Sequence, residues 1–272
     1  MNLSSEHFDP DMPYWQDYLP YLEQLAGTGF PGCEQLNGLL KPGLKSHGGH
    51  AIRFVPSEQL DDGGYEHRIY TTGQVSTRKD NWHDLFNALV WMRFPGLKAV
   101  MNALHYHAIP DESAGRRGSL RDALTLFDEC GVIVLSDSRE LLNQLAQRRW
   151  HDAFLGGKFS DSVQIFICGH AMLEKYLSPY KSMTAKTLLL HVDPALLEGP
   201  RDEMLRHIDE AISARMLRGE LITTPPSLAP LPLAGVPGWW PRDEQQESCF
   251  YTDQQVFRPA PRTLVPAPVK DL

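Results

Sequence analysis

The chain lacks the signatures of several common enzyme classes. Its 272 residues contain no H-E-x-x-H, no G-x-S-x-G and no G-x-x-x-x-G-K-[ST]. Gly156-Gly-Lys158 has neither the spacing nor the following hydroxyl residue of a phosphate loop. Zincin proteases, lipase-like hydrolases and P-loop nucleotide hydrolases are therefore set aside. Cysteine is sparse: Cys33, Cys130, Cys168 and Cys249 lie far apart with no C-x-x-C pair. That spacing argues against a disulfide scaffold or a zinc ribbon and predicts buried free thiols. No run approaches the roughly 18–20 apolar residues that cross a bilayer. The first residues, MNLSSEHFDPDMPYW, have no basic flank and no apolar core of a signal peptide, so the expected compartment is the cytoplasm.

Net charge is −8, which argues against bulk binding to nucleic acid or to anionic membrane. The excess is uneven. Residues 1–64 hold nine Asp/Glu against three Lys/Arg, whereas residues 65–122 hold six against eight. A local anion site in the second stretch is compatible with that balance. Hydrophobic residues at 42% and charged residues at 22% are the proportions of an ordinary globular chain.

The most informative stretch runs from Arg78 to Tyr106, with Trp82, His83, Asp84, Asn87, Trp91, Lys98, Asn102 and His105 around a single proline, Pro95. Asp80 or Asn81 can cap a first helix, whose apolar positions Trp82, Leu85, Phe86 and Leu89 follow the 3.6-residue period. Pro95 cannot continue that helix but suits the first turn of a second one. His83, Asp84 and Asn87 then share one face of the first helix. Lys98, Asn102 and His105 share one face of the second, and a tight turn would aim both rows at one cleft. Asparagine has poor helix propensity, so Asn87 and Asn102 need a reason to be there.

Other elements follow in order. Tyr14 to Leu25 reads as a short helix ended by Gly27. Ala51–Pro56 and Tyr65–Tyr70 alternate like strands around the turn signal Asp61-Asp-Gly-Gly64, predicting a β-hairpin or meander over 50–75. A polar loop, Asp111–Gly118, precedes a third helix over Ser119–Glu129 with Ser119 as its cap. It carries Arg121, Thr125 and Asp128 on one face with Glu129 beside them, and an Arg121–Asp128 structural pair is the plainer reading. Val132–Leu135, Ser162–Cys168 and Thr187–Val192 read as strands. Asp137 is placed as the cap of a helix through Arg149, Gly169–Leu177 as a short helix, and Arg201–Leu217 as a longer one. Gly169-His170 opens its helix directly after a strand, with Glu174 one turn beyond His170, and these two read either as a functional pair or as a plain helix-surface contact. The H-x-x-H of His47 and His50 has no acids nearby and is taken as chance. Trp82-His-Asp-Leu-Phe86 and Trp150-His-Asp-Ala-Phe154 echo each other, but their flanks differ.

Several of these stretches resemble the bacterial DUF3025 family. The resemblance is carried by Asn81–Trp91, Phe94-Pro95, Lys98, Asn102 and His105, by Arg121–Glu129 with Gly131, and by Gly169–Lys175. Pro237-Gly-Trp239, Phe250-Tyr251 and Phe257-Arg-Pro259 complete it. It covers residues 78–260 and departs locally at Cys168, where an aromatic is expected. It implies a bacterial intracellular protein and supplies no reaction.

The expected fold is α/β or α+β: a small mixed sheet flanked by helices, with the polar helical hairpin at its centre. Residues 1–224 are expected to form one domain. The proline-rich remainder, 225–272, is expected to run extended over the surface and to be pinned by Trp239, Trp240, Phe250, Tyr251 and Phe257. The residues leave the function open between classes. One reading is a metal-dependent hydrolase for a small molecule or phosphoester, with a cleft lined by His83, Asp84, Asn87, His105, Asp128, Glu129, His170 and Glu174. A subset would hold a divalent metal, and His83 or His105 would act as base. The second is a non-enzymatic protein that binds an anionic small ligand through Lys98, Asn102 and Arg121, with His170. The third is a buried polar network of purely structural value.

Overall fold

The computed structural model describes residues 8–27, 29–60, 64–108, 118–155, 159–246 and 249–272. The chain opens with a 3-10 turn at Pro13–Trp15, then helix α1 (Leu19–Leu25) and helix α2 (Cys33–Gly38). Between them, Gly27 to Gly32 spells G-x-G-x-x-G, but it follows a helix rather than a strand and so lacks the context of a dinucleotide fingerprint. Strand β1 (Arg53–Pro56), helix α3 (Tyr65–Thr72) and strand β2 (Gln74–Thr77) come next, with β1 and β2 paired in parallel.

The hairpin expected over 50–75 is therefore overturned. Tyr65–Tyr70 is helical, and Gly73, at φ 73°, closes that helix with its N–H on the Ile69 carbonyl. A single buried residue, Ile69, anchors the helix, while its remaining side chains are wholly or partly exposed. Most of the turn expected at Asp61–Gly64 lies outside the described residues, as does the loop at Asp111–Gly118 apart from Gly118.

The hairpin of helices is present as α4 (Trp82–Arg93) and α5 (Pro95–Ala108). Asn81 caps α4, its Oδ1 accepting from the Asp84 N–H at 3.0 Å. Phe94 leaves the helical region (φ −124°, ψ 61°), and Pro95 starts α5. Every residue of α4 from Asp84 to Met92 is buried, which makes this the central helix.

The N-terminus of α5 is capped from a distance. Asp209, on the later helix Arg201–Leu217, accepts from the Gly96 and Leu97 N–H groups, both at 2.8 Å. Burial pushes the Asp209 carboxyl up to about 6 against these two bonds. Because the folded value lies above the unfolded one, Asp209 favours the folded state most at low pH, and that contribution falls as pH rises from about 4 through 6. Asp209→Ala strands two helix amides and is expected to cost about 1–2 kcal/mol. Denaturant midpoints of the two proteins should differ most near pH 4 and converge as pH passes 6.

After α5 come α6 (Ser119–Cys130), β3 (Gly131–Ser136), α7 (Arg139–Ala146), α8 (Trp150–Leu155), α9 (Phe159–Ser162) and β4 (Val163–Ile167). Then follow α10 (His170–Lys175), β5 (Thr184–His191), α11 (Pro194–Leu197), α12 (Arg201–Leu217), β6 (Ala229–Pro232), α13 (Arg242–Gln246) and β7 (Val269–Asp271). The main sheet has the order β4-β3-β5-β6, with β7 paired to β5. Strand β3 runs antiparallel to β4 and parallel to β5, so the sheet is mixed and helices flank it: an α+β fold. All six residues of β3 are buried, as an unbroken apolar run requires.

Three smaller expectations are corrected. Gly118, not Ser119, is the N-cap residue of α6. Ser138, not Asp137, caps α7, whose last helical residue is Ala146, and Trp150 starts a separate helix. Of the four cysteines, all free, Cys168 alone is buried and Cys249 is exposed. The proline-rich stretch also departs from the surface path expected for it. Residues 229–232 add a strand to the sheet, and Leu228, Leu231, Leu233 and Val236 are buried. Pro230 and Pro232 are tolerated there because β6 is an edge. Trp239, Phe250, Tyr251 and Phe257 are buried, whereas Trp240 is partly exposed.

Two glycines join the end of α6 to the start of α10. The Cys168 and Gly169 N–H groups both donate to the Gly131 carbonyl, at 3.0 and 2.9 Å. A Cβ on Gly169 would sit 2.2 Å from the Gly131 nitrogen, and one on Gly131 would sit 2.2 Å from the Phe127 carbonyl oxygen. This approach sets Glu129, the penultimate residue of α6, beside His170, the first of α10.

Candidate functional site

His83 lies in the first turn of α4 and reaches across to α10. Its Nδ1 is 3.1 Å from Glu174 Oε2, and its Nε2 is 2.9 Å from His170 Nε2. The two rings meet edge to face with centroids 4.3 Å apart. A carboxylate accepts only from a protonated nitrogen, so the Glu174 contact favours a proton on His83 Nδ1, the tautomer that in a neutral ring leaves Nε2 as a lone pair. Glu129 Oε2 lies 3.8 Å from His170 Nε2. One ligand atom each from His83, Glu129 and His170 falls within 4.8 Å of the others. Two histidines and a carboxylate at this spacing could hold a divalent cation, and Glu174 lies behind His83 where an orienting carboxylate would stand.

Around this cluster the remaining polar side chains are bonded to one another. Asp84 accepts from the Arg78 N–H (2.6 Å), Nε (3.0 Å) and Nη2 (2.8 Å). Lys98 Nζ donates to Asp128 Oδ1 at 2.5 Å and lies 5.7 Å from the centre of the Trp91 ring. Asn87 Nδ2 donates to the Tyr65 hydroxyl at 2.8 Å. Asn102 Nδ2 donates to Glu66 twice, to its carbonyl at 2.9 Å and its Oε2 at 2.7 Å.

These groups line a cleft of about 630 Å³, part of it open to solvent. His83, Asp84, Asn87, His105, Asp128, Glu129 and His170 all border it, and Glu174 touches it through His83. Lys98 and Asn102 border a smaller crevice of about 220 Å³ that shares Tyr65, Glu66, His105 and Asp128 with the cleft. Arg121 borders neither space, although its charge is felt at Glu66. Of the second helix's row, only His105 borders the cleft that His83, Asp84 and Asn87 border; Lys98 and Asn102 face the adjoining crevice. The pairing expected within α10 does not form as such: Glu174 serves His83, 91 residues away, rather than His170. Asp128, read from the sequence beside Glu129 or as the partner of Arg121, accepts from Lys98.

Burial sets the electrostatics. It drives the His170 imidazole down to about 4 with help from Lys98 and His83, while Asp128 opposes. His170 is therefore neutral near pH 7, the protonation state of a ligand. Burial raises Asp128, but Lys98, His170 and His105 outweigh it and hold the carboxyl below its usual range. Glu129 is raised, chiefly by burial. Glu66 is pushed up to about 7 by burial, against the Asn102 hydrogen bond.

Sequence reasoning missed Tyr65, Glu66, Ser76, Arg78 and Thr125, all of which border the cleft. A helical reading of Tyr65–Thr72 would have put Tyr65, Glu66 and Ile69 on adjoining positions, and Gly73 was its signal. A second cleft, about 590 Å³ at Pro13, Gln16, Gln164, Arg201 and Trp239, has no histidine and no carboxylate in its lining. Its Arg201 is held by Asp17 at 2.7 and 2.9 Å.

Among the described residues, no helix is long and apolar enough to cross a membrane. No curated protein and no solved structure matches the chain. Residues 52–261 match a family described as protein of unknown function (DUF3025). That span takes in α3, the helical hairpin, α6 and α10, so the cleft is built wholly from the matched region. With most of its length inside that match, the chain belongs to the DUF3025 family.

Proposed function

We propose that this protein is a metal-dependent hydrolase of a small ester or phosphoester, with one divalent cation held by His83, His170 and Glu129. The observation that carries this reading is the convergence of three ligand atoms within 4.8 Å, with Glu174 behind His83. Three protein ligands leave coordination positions for water and substrate, the arrangement of catalytic rather than structural sites. A bound cation lowers the pKa of its water to about 7, which supplies a nucleophile at neutral pH without a separate base. The cleft beside it is partly open to solvent and lined largely by polar groups.

The structural-network reading keeps part of its value. Arg78–Asp84, Lys98–Asp128, Asn87–Tyr65 and Asn102–Glu66 are bonded in pairs, which favours a positioning role for these residues over a role as metal ligands. The same pairing weakens the reading as an anion-binding protein, because Lys98 and Arg78 already hold carboxylates.

The test is hydrolysis of aryl phosphates and carboxylic esters by the purified protein with Zn²⁺, Mn²⁺ or Mg²⁺. The wild type should turn over one class with one of these metals. Glu174→Gln should retain the fold and lose roughly 10–100-fold in metal affinity or activity, the usual effect of removing an orienting carboxylate. Absence of turnover in the wild type with all three metals, or full activity in His83→Ala, would overturn the reading.

A further inference from the structure

Beyond the His83–Glu129–His170 cluster, the cleft contains a half-buried acid that the proposed metal chemistry does not use. Glu66, in the first turn of α3, borders both the cleft and the crevice behind it. Asn102, 3% exposed, holds it in place with two hydrogen bonds from one amide nitrogen. Lys98, Arg121 and Asp128 act on it electrostatically, and Tyr65 and His105 border the same two spaces. No cation is bonded to its carboxylate among the described residues. A carboxyl group fixed in this way is a costly thing to keep unless its proton is used.

We propose that Glu66 is the general acid of the cleft, protonating the leaving-group oxygen of the substrate while water attacks from the metal side. The inference rests on the hydrolase reading above. In the step, a water oxygen forms the new bond to phosphorus and the phosphorus–oxygen bond to the leaving group breaks; a divalent cation held by His83, His170 and Glu129 would supply the activation of that water. The departing oxygen keeps that electron pair and takes the Glu66 proton. The proton shed by the attacking water goes to solvent, and solvent later reprotonates Glu66. One water is consumed, and an alcohol and a phosphate are released. With a pKa of about 7, Glu66 is close to the optimum for this task near neutral pH. Asn102 is a positioning residue, fixing the acid through its amide.

A general acid matters most when the leaving group is basic, and this gives a test that separates it from a structural role. Phenyl phosphate and p-nitrophenyl phosphate differ in leaving-group basicity and little in size. Glu66→Gln keeps an acceptor for Asn102 and removes the proton. It is expected to lose about 10²–10⁴-fold in kcat on phenyl phosphate. The loss on p-nitrophenyl phosphate should be much smaller, with metal content unchanged. Equal losses on the two substrates, or none, with metal and wild-type turnover intact, would overturn the role of Glu66 and leave the hydrolase reading standing. A wild type that turns over neither phosphate with metal bound would overturn the role of Glu66 alone, and one that holds no metal would overturn both.

Discussion

Gly169→Ala is expected both to cost about 3 kcal/mol of stability and to disperse the His83–Glu129–His170 cluster. Its Cβ would meet the Gly131 nitrogen at 2.2 Å and the Cys130 carbonyl carbon and Glu129 carbonyl oxygen at 2.7 Å. These are backbone atoms, which have no rotamer to escape into, so the start of α10 must move away from the end of α6. Overpacking of this kind typically costs 1–3 kcal/mol, and the absence of a yielding side chain places this case at about the upper end. The displacement acts on His170 and Glu129, which are neighbours across that junction at 3.8 Å. Urea unfolding of the wild type and variant measures the stability, and metal retention on gel filtration measures the site. Gly38→Ala is the control: nothing lies within 4 Å of its added Cβ, and alanine should be neutral or slightly stabilising near the end of α2.

Lys98→Met is the second change with a large expected effect. Lys98 is 4% exposed, and its ammonium is bonded to Asp128, whose side chain is 20% exposed. Removing the cation leaves a largely buried carboxylate without its partner, which costs about 3 kcal/mol, the lower end of the range for a buried pair because Asp128 keeps some contact with solvent. Asp128→Asn in the same chain should recover much of that loss, because the uncompensated charge is then gone. The pair also sets the state of the site. Lys98 depresses the His170 imidazole, so Lys98→Met should raise the midpoint at which His170 protonates. Thermal melts of the two single variants and the double variant separate the coupling from the individual costs.

The fold was legible where periodicity and covering agreed. Arg201–Leu217 occupies the bounds expected of it, and β3 and β5 form where the apolar runs stand. The break between α4 and α5 followed from Pro95, whose ring cannot continue the preceding helix. Tyr65–Tyr70 failed for a physical reason. Six residues that alternate apolar and polar also place Tyr65 and Ile69 one helical turn apart. Packing of α3 against α5 and the αL closure at Gly73 decided between them. That misreading hid Glu66 and Tyr65 from the site.

The candidate site was legible as a set of residues more than as a set of pairs. Local spacing brought His83, Asp84 and Asn87 to one face, and all three border the cleft. Spacing also paired His170 with Glu174, four residues on. The fold instead presents Glu174 to His83, because the starts of α4 and α10 lie against each other. No rule of helix spacing reaches across 91 residues. The Gly131–Gly169 junction was equally silent in the sequence, since two glycines 38 apart do not announce that their backbones touch.

The central claim is that His83, His170 and Glu129 hold a metal ion. Its most direct test is the metal content of protein purified without chelator, measured by inorganic mass spectrometry for the wild type, His83→Ala and His170→Ala. The expected result is close to one divalent ion per wild-type chain and almost none in either variant, with both variants still folded by circular dichroism. A wild type that stays metal-free after incubation with excess Zn²⁺ and Mn²⁺, or variants that keep the ion, would contradict it.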